Sequence, residues 1–184
     1  MTSTGRRDAA LAAVDRIRGM CAELGARRVG MYSAIDGELD VEPTAAELRR
    51  HGLETWYPAV VESSLTFRRW NGTTERTTGR YGIAEPPLGP SLDIAELDVV
   101  IVPLVAFDLA GDRLGFGAGY YDRALGMLDA ARRPTTVGVA YDFQELALWE
   151  PESHDVALDF VITPTRTLRC HAHRDRSGGG GPVG

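Results

Sequence analysis

Lysine is missing from the sequence altogether: all 20 basic residues are arginines. Two chemistries fall with it, the Schiff base, which needs a primary amine, and the Walker A phosphate loop, which needs its lysine before Ser or Thr. Cysteine is nearly missing too. Cys21 and Cys170 stand far apart, build neither a disulfide framework nor a zinc knuckle, and are expected to stay reduced. No stretch comes near the ~20 consecutive apolar residues of a membrane span, and the first residues lack the charged-then-apolar order of a signal peptide. A cytoplasmic protein with no membrane partner is the expectation. A net charge of -6, with no basic run to offset it, exerts no long-range pull on nucleic acid. An anionic ligand must therefore be met by local arginines.

What remains is the composition of an ordinary globular domain. The chain has 184 residues, 43% hydrophobic and 25% charged, enough to bury one core. One domain is expected over residues 1–170, followed by a flexible glycine-rich tail over 171–184.

Apolar residues at three- and four-residue steps, Leu11, Val14, Ile17, Cys21 and Leu24, predict an amphipathic helix over 8–24. Residues 29–33 read as a strand. Thr44, Ala45, Ala46 and Glu47 have the spacing of a capping box, which places a helix after Pro43 and its end near Gly52. Strands are expected over 55–60 and 65–70, then a loop or hairpin over 71–82. The unbroken apolar run over 97–102 suits a parallel strand covered on both faces, ended by Pro103. Leu125 and Leu128 mark the buried side of a later helix, and 136–140 and 160–162 read as further strands. Strands alternating with helices imply an α/β fold with a mostly parallel sheet.

Between the best strand and that later helix lies a glycine-rich stretch, residues 113–121, where α/β proteins place ligands. Gly115, Gly117 and Gly119 let the backbone take positive φ, approach a phosphate closely and aim several N–H groups at it. The helix starting near Tyr120 adds its positive dipole end. Arg113 can donate two hydrogen bonds to phosphate oxygens. The dinucleotide fingerprint needs glycine where Tyr120 stands, so an unclassified phosphate nest is left. Asp122 is either a partner for the helix dipole or a ligand for Mg²⁺, which favours one or two carboxylates plus phosphate oxygens. Asp155 is a turn residue or the second such carboxylate.

This stretch resembles the signature of the 5-formyltetrahydrofolate cyclo-ligases, also called methenyltetrahydrofolate synthetases. The likeness continues in order through Tyr32-Ser33-Ala34-Ile35-Asp36-Gly37-Glu38-Leu39-Asp40, Gly82-Ile83-Ala84-Glu85-Pro86, Val102-Pro103-Leu104-Val105-Ala106-Phe107-Asp108, Gly138-Val139-Ala140-Tyr141-Asp142 with Gln144, and His154-Asp155-Val156. It spans residues 28–163. The resemblance implies a three-layer α/β/α sandwich and ATP-dependent cyclisation of 5-formyltetrahydrofolate to 5,10-methenyltetrahydrofolate with release of ADP and phosphate.

Residue by residue, it implies ATP contacts from Arg113, Leu114, Gly115, Phe116, Gly117, Ala118, Gly119, Tyr120 and Tyr121, with Arg113 and Tyr120 carrying catalysis. Folate contacts fall on Ser33, Glu38, Phe116, Gly117, Ala118, Gly119 and Tyr120. Asp122 and Asp155 would hold Mg²⁺. ATP and a reduced folate are the implied partners, and a monomer or weak homodimer the expected state. Such enzymes begin with a further basic helix. The sequence starts too late for it, and the adjacent Arg6 and Arg7 do not reproduce its spacing, so weakened turnover is one expectation. A paralogue that binds nucleotide or folate with little turnover, and an unrelated sugar-phosphate or acyl-transfer enzyme on a similar sheet, are the alternatives.

Overall fold

The computed structural model describes residues 2–35, 37–79, 82–146, 152 and 154–170; the tail expected over 171–184 lies outside them. In chain order the elements are α1 (Ser3–Glu23), β1 (Arg28–Gly30), α2 (Glu42–Arg50), β2 (Glu54–Val61), β3 (Ser64–Arg69), β4 (Thr77–Thr78), β5 (Ala84–Glu85), β6 (Ser91–Leu92), β7 (Val99–Val102), β8 (Ala106–Phe107), β9 (Arg113–Leu114), α3 (Tyr120–Gly126), β10 (Thr135–Val139), β11 (Phe160–Ile162) and β12 (Thr167–Arg169). Eight strands join in one sheet of order β12-β11-β10-β7-β1-β2-β3-β6. The run from β11 to β2 is parallel, and β12, β3 and β6 add antiparallel edges.

β7 shows why the sheet is a middle layer. All four of its residues are buried, and their alternation sends Val99 and Ile101 to one core and Val100 and Val102 to the other. The first core is roofed by α1 and α2 through Ile17, Met20, Ala45 and Leu48. The second is closed by Leu125 of α3 with Phe67, Phe107 and Leu158. The architecture is the three-layer α/β/α sandwich that the resemblance implied.

The order of the strands matters most for function. From β1 the chain steps outward to β2 on one side, then returns to place β7 on the other side of β1. That reversal opens a crevice at the carboxyl ends of β1 and β7, the ends from which the segments carrying Glu38 and the glycine-rich loop depart.

Several local expectations need correction. α1 begins at Ser3, not residue 8, because Thr2 caps it, its Oγ1 accepting from the Gly5 amide at 3.1 Å. Its buried stripe is Ala10, Ala13, Ile17, Met20 and Cys21, while Leu11 and Leu24 are half exposed. Alanines on the inner face let the helix lie close to the sheet, so the larger apolar residues do not mark the interface. The capping box at Thr44 is not formed. α2 starts at Glu42 with Pro43 in its first turn, Asp40 Oδ1 accepts from the Glu42 amide at 2.9 Å, and Thr44 is buried inside the helix. The segment 71–82 does contain a hairpin strand, β4, paired with β5. Leu97 precedes the core strand, at the end of a 3₁₀ turn over Ile94–Glu96 that Asp93 and Glu96 cap reciprocally. β8, β9, β6 and β12 were not foreseen, being two or three residues long with no readable period. Both cysteines are free and buried, and burial pushes each thiol up to about 11.

The turn between β8 and β9 is held tightly. Asp108 Oδ1 accepts from the amides of Ala110 and Asp112 at 2.9 and 3.0 Å, and Gly111 sits at φ +92°. A Cβ there would lie 2.5 Å from the Leu158 carbonyl oxygen and 2.7 Å from Cys170 Cβ. Gly111→Ala should therefore lower stability by about 2 kcal/mol, combining left-handed strain with overpacking. Urea unfolding with an unchanged slope and a lower midpoint is the expected record, and an unshifted midpoint would mean that the turn yields freely.

Candidate active site

Two segments meet at the crevice. The first follows β1. The Tyr32 hydroxyl donates to the Leu39 carbonyl at 2.6 Å, closing the loop, and inside it Glu38 Oε2 accepts from the Ile35 amide at 2.9 Å while the Glu38 amide donates back to the Ile35 carbonyl at 2.9 Å. Gly37, at φ +86°, makes that turn possible. A cleft of about 530 Å³ opens beside it, with Glu38 and Asp40 on one wall, Arg6 and Arg7 of α1 on another, and Tyr141 beyond β10.

The second segment follows β7. Residues 114–118 are exposed, with Leu114 and Phe116 open to solvent. Gly117 and Gly119 take φ +83° and +63°, and Gly119 is the residue from which α3 starts. A Cβ at Gly115 or Gly117 would meet nothing within 4 Å, so packing does not demand glycine at either position. Among the described residues, no backbone amide from 115 to 119 donates to another protein group. α3 has only seven residues, so these open amides matter more than its dipole. The Arg123 guanidinium braces the loop from the helix side, donating to the Ala118 carbonyl at 2.9 Å and lying 4.9 Å from the Tyr120 ring.

Tyr121, in the first turn of α3, lies within electrostatic reach of Glu38 on the first segment and of Arg113 on the second. Its hydroxyl is buried with no hydrogen-bond partner among the described residues, and its phenol is pushed up first by burial, then by the charge of Glu38, against an opposing pull from Arg113. Tyr32 is likewise pushed well above the ordinary range by burial, then by Glu38 and Asp40, with Tyr121 and Tyr141 within electrostatic reach. Tyr141 completes the ring of phenols. Its hydroxyl too is buried and without a partner among the described residues, raised by burial against the nearby Arg6, and its ring stacks on Phe143 at 5.3 Å.

Arg113 does not lie open beside the loop, as a phosphate clamp would. Its side chain is 6% exposed; Nη1 donates to the Val156 carbonyl and Nη2 to Asp122 Oδ1 at 2.7 Å. The Val156 amide donates to the same Oδ1 at 3.1 Å. These three contacts form a closed ring that pins the chain just after Asp155 onto the first turn of α3. Asp155 Oδ2 accepts from the Glu152 amide at 2.9 Å. Among the described residues no group of three or more His, Cys, Asp or Glu side chains gathers to hold a metal, so a cation here would rest on two carboxylates and ligand oxygens. The donor set fits Mg²⁺, since Asp122 Oδ1 takes both hydrogen bonds of that side chain and Oδ2 is left.

Ser33 directly precedes Ala34, which lines the cleft. Its hydroxyl donates to the Ala84 carbonyl at 2.7 Å and accepts from Arg76 at 3.1 Å. Arg6, Arg7, Asp40, Tyr141 and Arg76 were not foreseen as site residues. Tyr141 lay in a motif quoted for its likeness but carried no role there, and Arg76 lies in a stretch without period, which gave no signal.

A mostly parallel α/β sheet with its crevice at the carboxyl edge, walled by opposed arginines, carboxylates and phenols, defines a ligand-binding enzyme of the doubly wound class. The sequence matches the 5-formyltetrahydrofolate cyclo-ligase family model over residues 1–164. The 5-formyltetrahydrofolate cyclo-ligase of Escherichia coli K12 is 36% identical over 146 residues, covering 77% of this chain and 80% of that protein. The Haemophilus influenzae enzyme of the same name is 32% identical over 142 residues, 74% of this chain and 75% of that one. The NMR structure of Aquifex aeolicus 5,10-methenyltetrahydrofolate synthetase is similar with a TM-score of 0.79 at 30% identity, covering 100% of this chain and 89% of its own. A Mycoplasma pneumoniae 5,10-methenyltetrahydrofolate synthetase, at 22% identity and a TM-score of 0.70 over 89% of this chain and 90% of that one, shares the fold. The chain belongs to the 5-formyltetrahydrofolate cyclo-ligase family, a family of ligases. Membership sets aside the sugar-phosphate and acyl-transfer alternatives.

Removing the guanidinium from the Arg113 ring leaves a carboxylate and a carbonyl short of a donor in a mostly buried place. Arg113→Met is expected to cost about 3 kcal/mol, the low end for a broken buried pair because Asp122 keeps some solvent contact. Calorimetric melting checks it, and a midpoint within a degree of the parent would show the ring to be loose.

Proposed function

We propose that the chain catalyses the ATP- and Mg²⁺-dependent cyclisation of 5-formyltetrahydrofolate to 5,10-methenyltetrahydrofolate, with release of ADP and phosphate. The observation that carries this reading is the run of unengaged amides at 115–119 beside a phenol, Tyr121, that feels both Glu38 and Arg113. In the reaction the formyl oxygen attacks the γ-phosphorus and ADP departs. N10 then closes on the activated carbon and gives up its proton to solvent, and the former formyl oxygen leaves within inorganic phosphate.

Each group has a place in that sequence. The amides from Arg113 to Tyr121 hold the phosphates, fixed before the ligand arrives and so needing little reorganisation as charge shifts. Phe116 and Tyr120 offer their rings to the flat pterin, and Glu38, with Ser33, accepts from its N–H groups. Tyr121 brings to the same place a hydroxyl with no partner among the described residues. Arg113 supplies positive charge beneath the loop. Asp122 and Asp155 would hold Mg²⁺, whose chemistry when bound is to bridge and neutralise the phosphate oxygens. Arg6 and Arg7 put cationic side chains on the cleft wall, which favours a turning-over enzyme against a binding-only paralogue.

Formation of the methenyl product, followed by its near-ultraviolet absorbance, is expected only when ATP, Mg²⁺ and 5-formyltetrahydrofolate are all present. Ligand-induced thermal stabilisation without product would replace this reading with the binding-only one. Asp122→Asn keeps an oxygen for Val156 and Arg113 yet loses the charge that faces the buried guanidinium, so turnover should fall on the order of 100-fold or more in a protein that still folds and melts lower than the parent. Parental turnover in that variant removes the metal role. Gly115→Ala adds a methyl to open space in the free protein but to the face a phosphate would approach. The KM for ATP should rise roughly tenfold with the urea midpoint unmoved, and a parental KM would sink the phosphate assignment of the loop.

A further inference from the structure

Arg76 is the most heavily engaged cation among the described residues. Its guanidinium lies 3.7 Å from the centre of the Trp70 ring and 4.1 Å from that of Tyr57, and its side chain is 15% exposed. Nη2 donates to Glu42 Oε2 at 2.5 Å and Nη1 to Ser33 Oγ at 3.1 Å. The surroundings hold this geometry rigidly. Trp70 and Tyr57 meet edge to face at 5.4 Å, the Tyr57 hydroxyl donates to Glu42 at 2.8 Å, and Arg49 secures the other Glu42 oxygen at 2.9 Å.

Ser33 is thereby left with one kind of hydrogen bond to give. A serine hydroxyl has one proton and two acceptor lone pairs, and a guanidinium cannot accept. With Arg76 donating to Oγ, the proton must point elsewhere, and it goes to the Ala84 carbonyl at 2.7 Å. Among the described residues, one lone pair remains without a donor. Both partners come from the same small hairpin, since Arg76 directly precedes β4 and Ala84 opens β5. An unconstrained serine rotates its hydroxyl to suit either a donor or an acceptor, whereas this one is set in advance as an acceptor.

We infer that Arg76 is a positioning residue that fixes the Ser33 hydroxyl as an acceptor, so that the site selects a heterocycle whose edge presents N–H donors there. The inference rests on the folate contact proposed for Ser33 and adds the residue that sets its polarity. Neighbouring Glu38 also offers an acceptor, so the β1 end of the crevice reads donors on the ligand from two points. A site built to accept a hydrogen bond discriminates strongly against an analogue that lacks the donor, because its own polar atom is then left unpaired. Lysine cannot take over. A single ammonium does not lie flat against two rings while holding two acceptors in a fixed fork.

The test is a double-mutant cycle read in KM and kcat. Arg76→Gln and Ser33→Ala should each raise the KM for 5-formyltetrahydrofolate roughly tenfold, with kcat and the KM for ATP within about twofold of the parent. Because Arg76 acts through Ser33, the double variant should be no worse than Ser33→Ala alone. Arg76→Lys preserves the charge beside Glu42, guards against simple misfolding, and should show the same rise in KM. Far-ultraviolet circular dichroism confirms folding, and a shift in tryptophan emission reports loss of the cation from the Trp70 face. If Ser33→Ala raises KM while both Arg76 variants match the parent, or if the two effects multiply, the role of Arg76 is overturned and the Ser33 assignment stands. If Ser33→Ala leaves KM unchanged, the folate contact itself is wrong and the role of Arg76 falls with it.

Discussion

Everything at the site depends on the reversal of strand order beside β1. Had the chain continued in one direction, the connections leaving β1 and β7 would lie side by side and cover the sheet edge. With β2 on one flank and β7 on the other, they part. Backbone at that edge has no sheet neighbour above it, which is why amides at 115–119 can stand open and a cleft can form beside Glu38. The two buried cores serve this constraint. Interleaved side chains on both faces of β7 hold the strand ends at fixed separation, and the proposed reaction, which brings a phosphate and a pterin together, needs that stiffness.

A chain without lysine has to manage charge with guanidinium groups alone, and three solutions are visible. Arg113 is buried because a carboxylate and a carbonyl receive its two ends, so it acts as a brace between α3 and the chain after Asp155. Arg76 is sheltered by aromatic faces and a carboxylate, which fixes the direction of its remaining donor. Arg6 and Arg7 stay open on a cleft wall, where they can meet an anion. Planarity and a fixed fork of donors permit all three uses, and the surroundings choose among them.

Much of the sheet was legible because burial writes directly into composition. The apolar run at 97–102 and the short one at 160–162 became β7 and β11 within two residues of expectation. Residues 54–61 and 64–69 followed their β-type content. Legibility failed where packing reverses the usual weight of a residue. Leu11 and Leu24 looked like the inner face of α1, yet Ala10 and Ala13 occupy it, because a helix lying close to a sheet needs small side chains there. Thr44 looked like a cap, yet Val41 precedes the helix and Asp40 satisfies the Glu42 amide. The two-residue strands left no period to read.

Among the candidate functional groups, local sequence determined the glycine loop, the carboxylate at the head of α3, the acidic turn after β1 and, through ordered motifs, the family. All of these are properties of neighbours along the chain, and a few residues suffice to set them. Tertiary structure alone decided that Arg113 turns inward, that Arg6, Arg7 and Tyr141 share a cleft with Glu38, and that Arg76 reaches Ser33 across 43 residues. Those pairings follow from which strands lie side by side, and strand order is chosen by burial and hydrogen bonding summed over the whole chain.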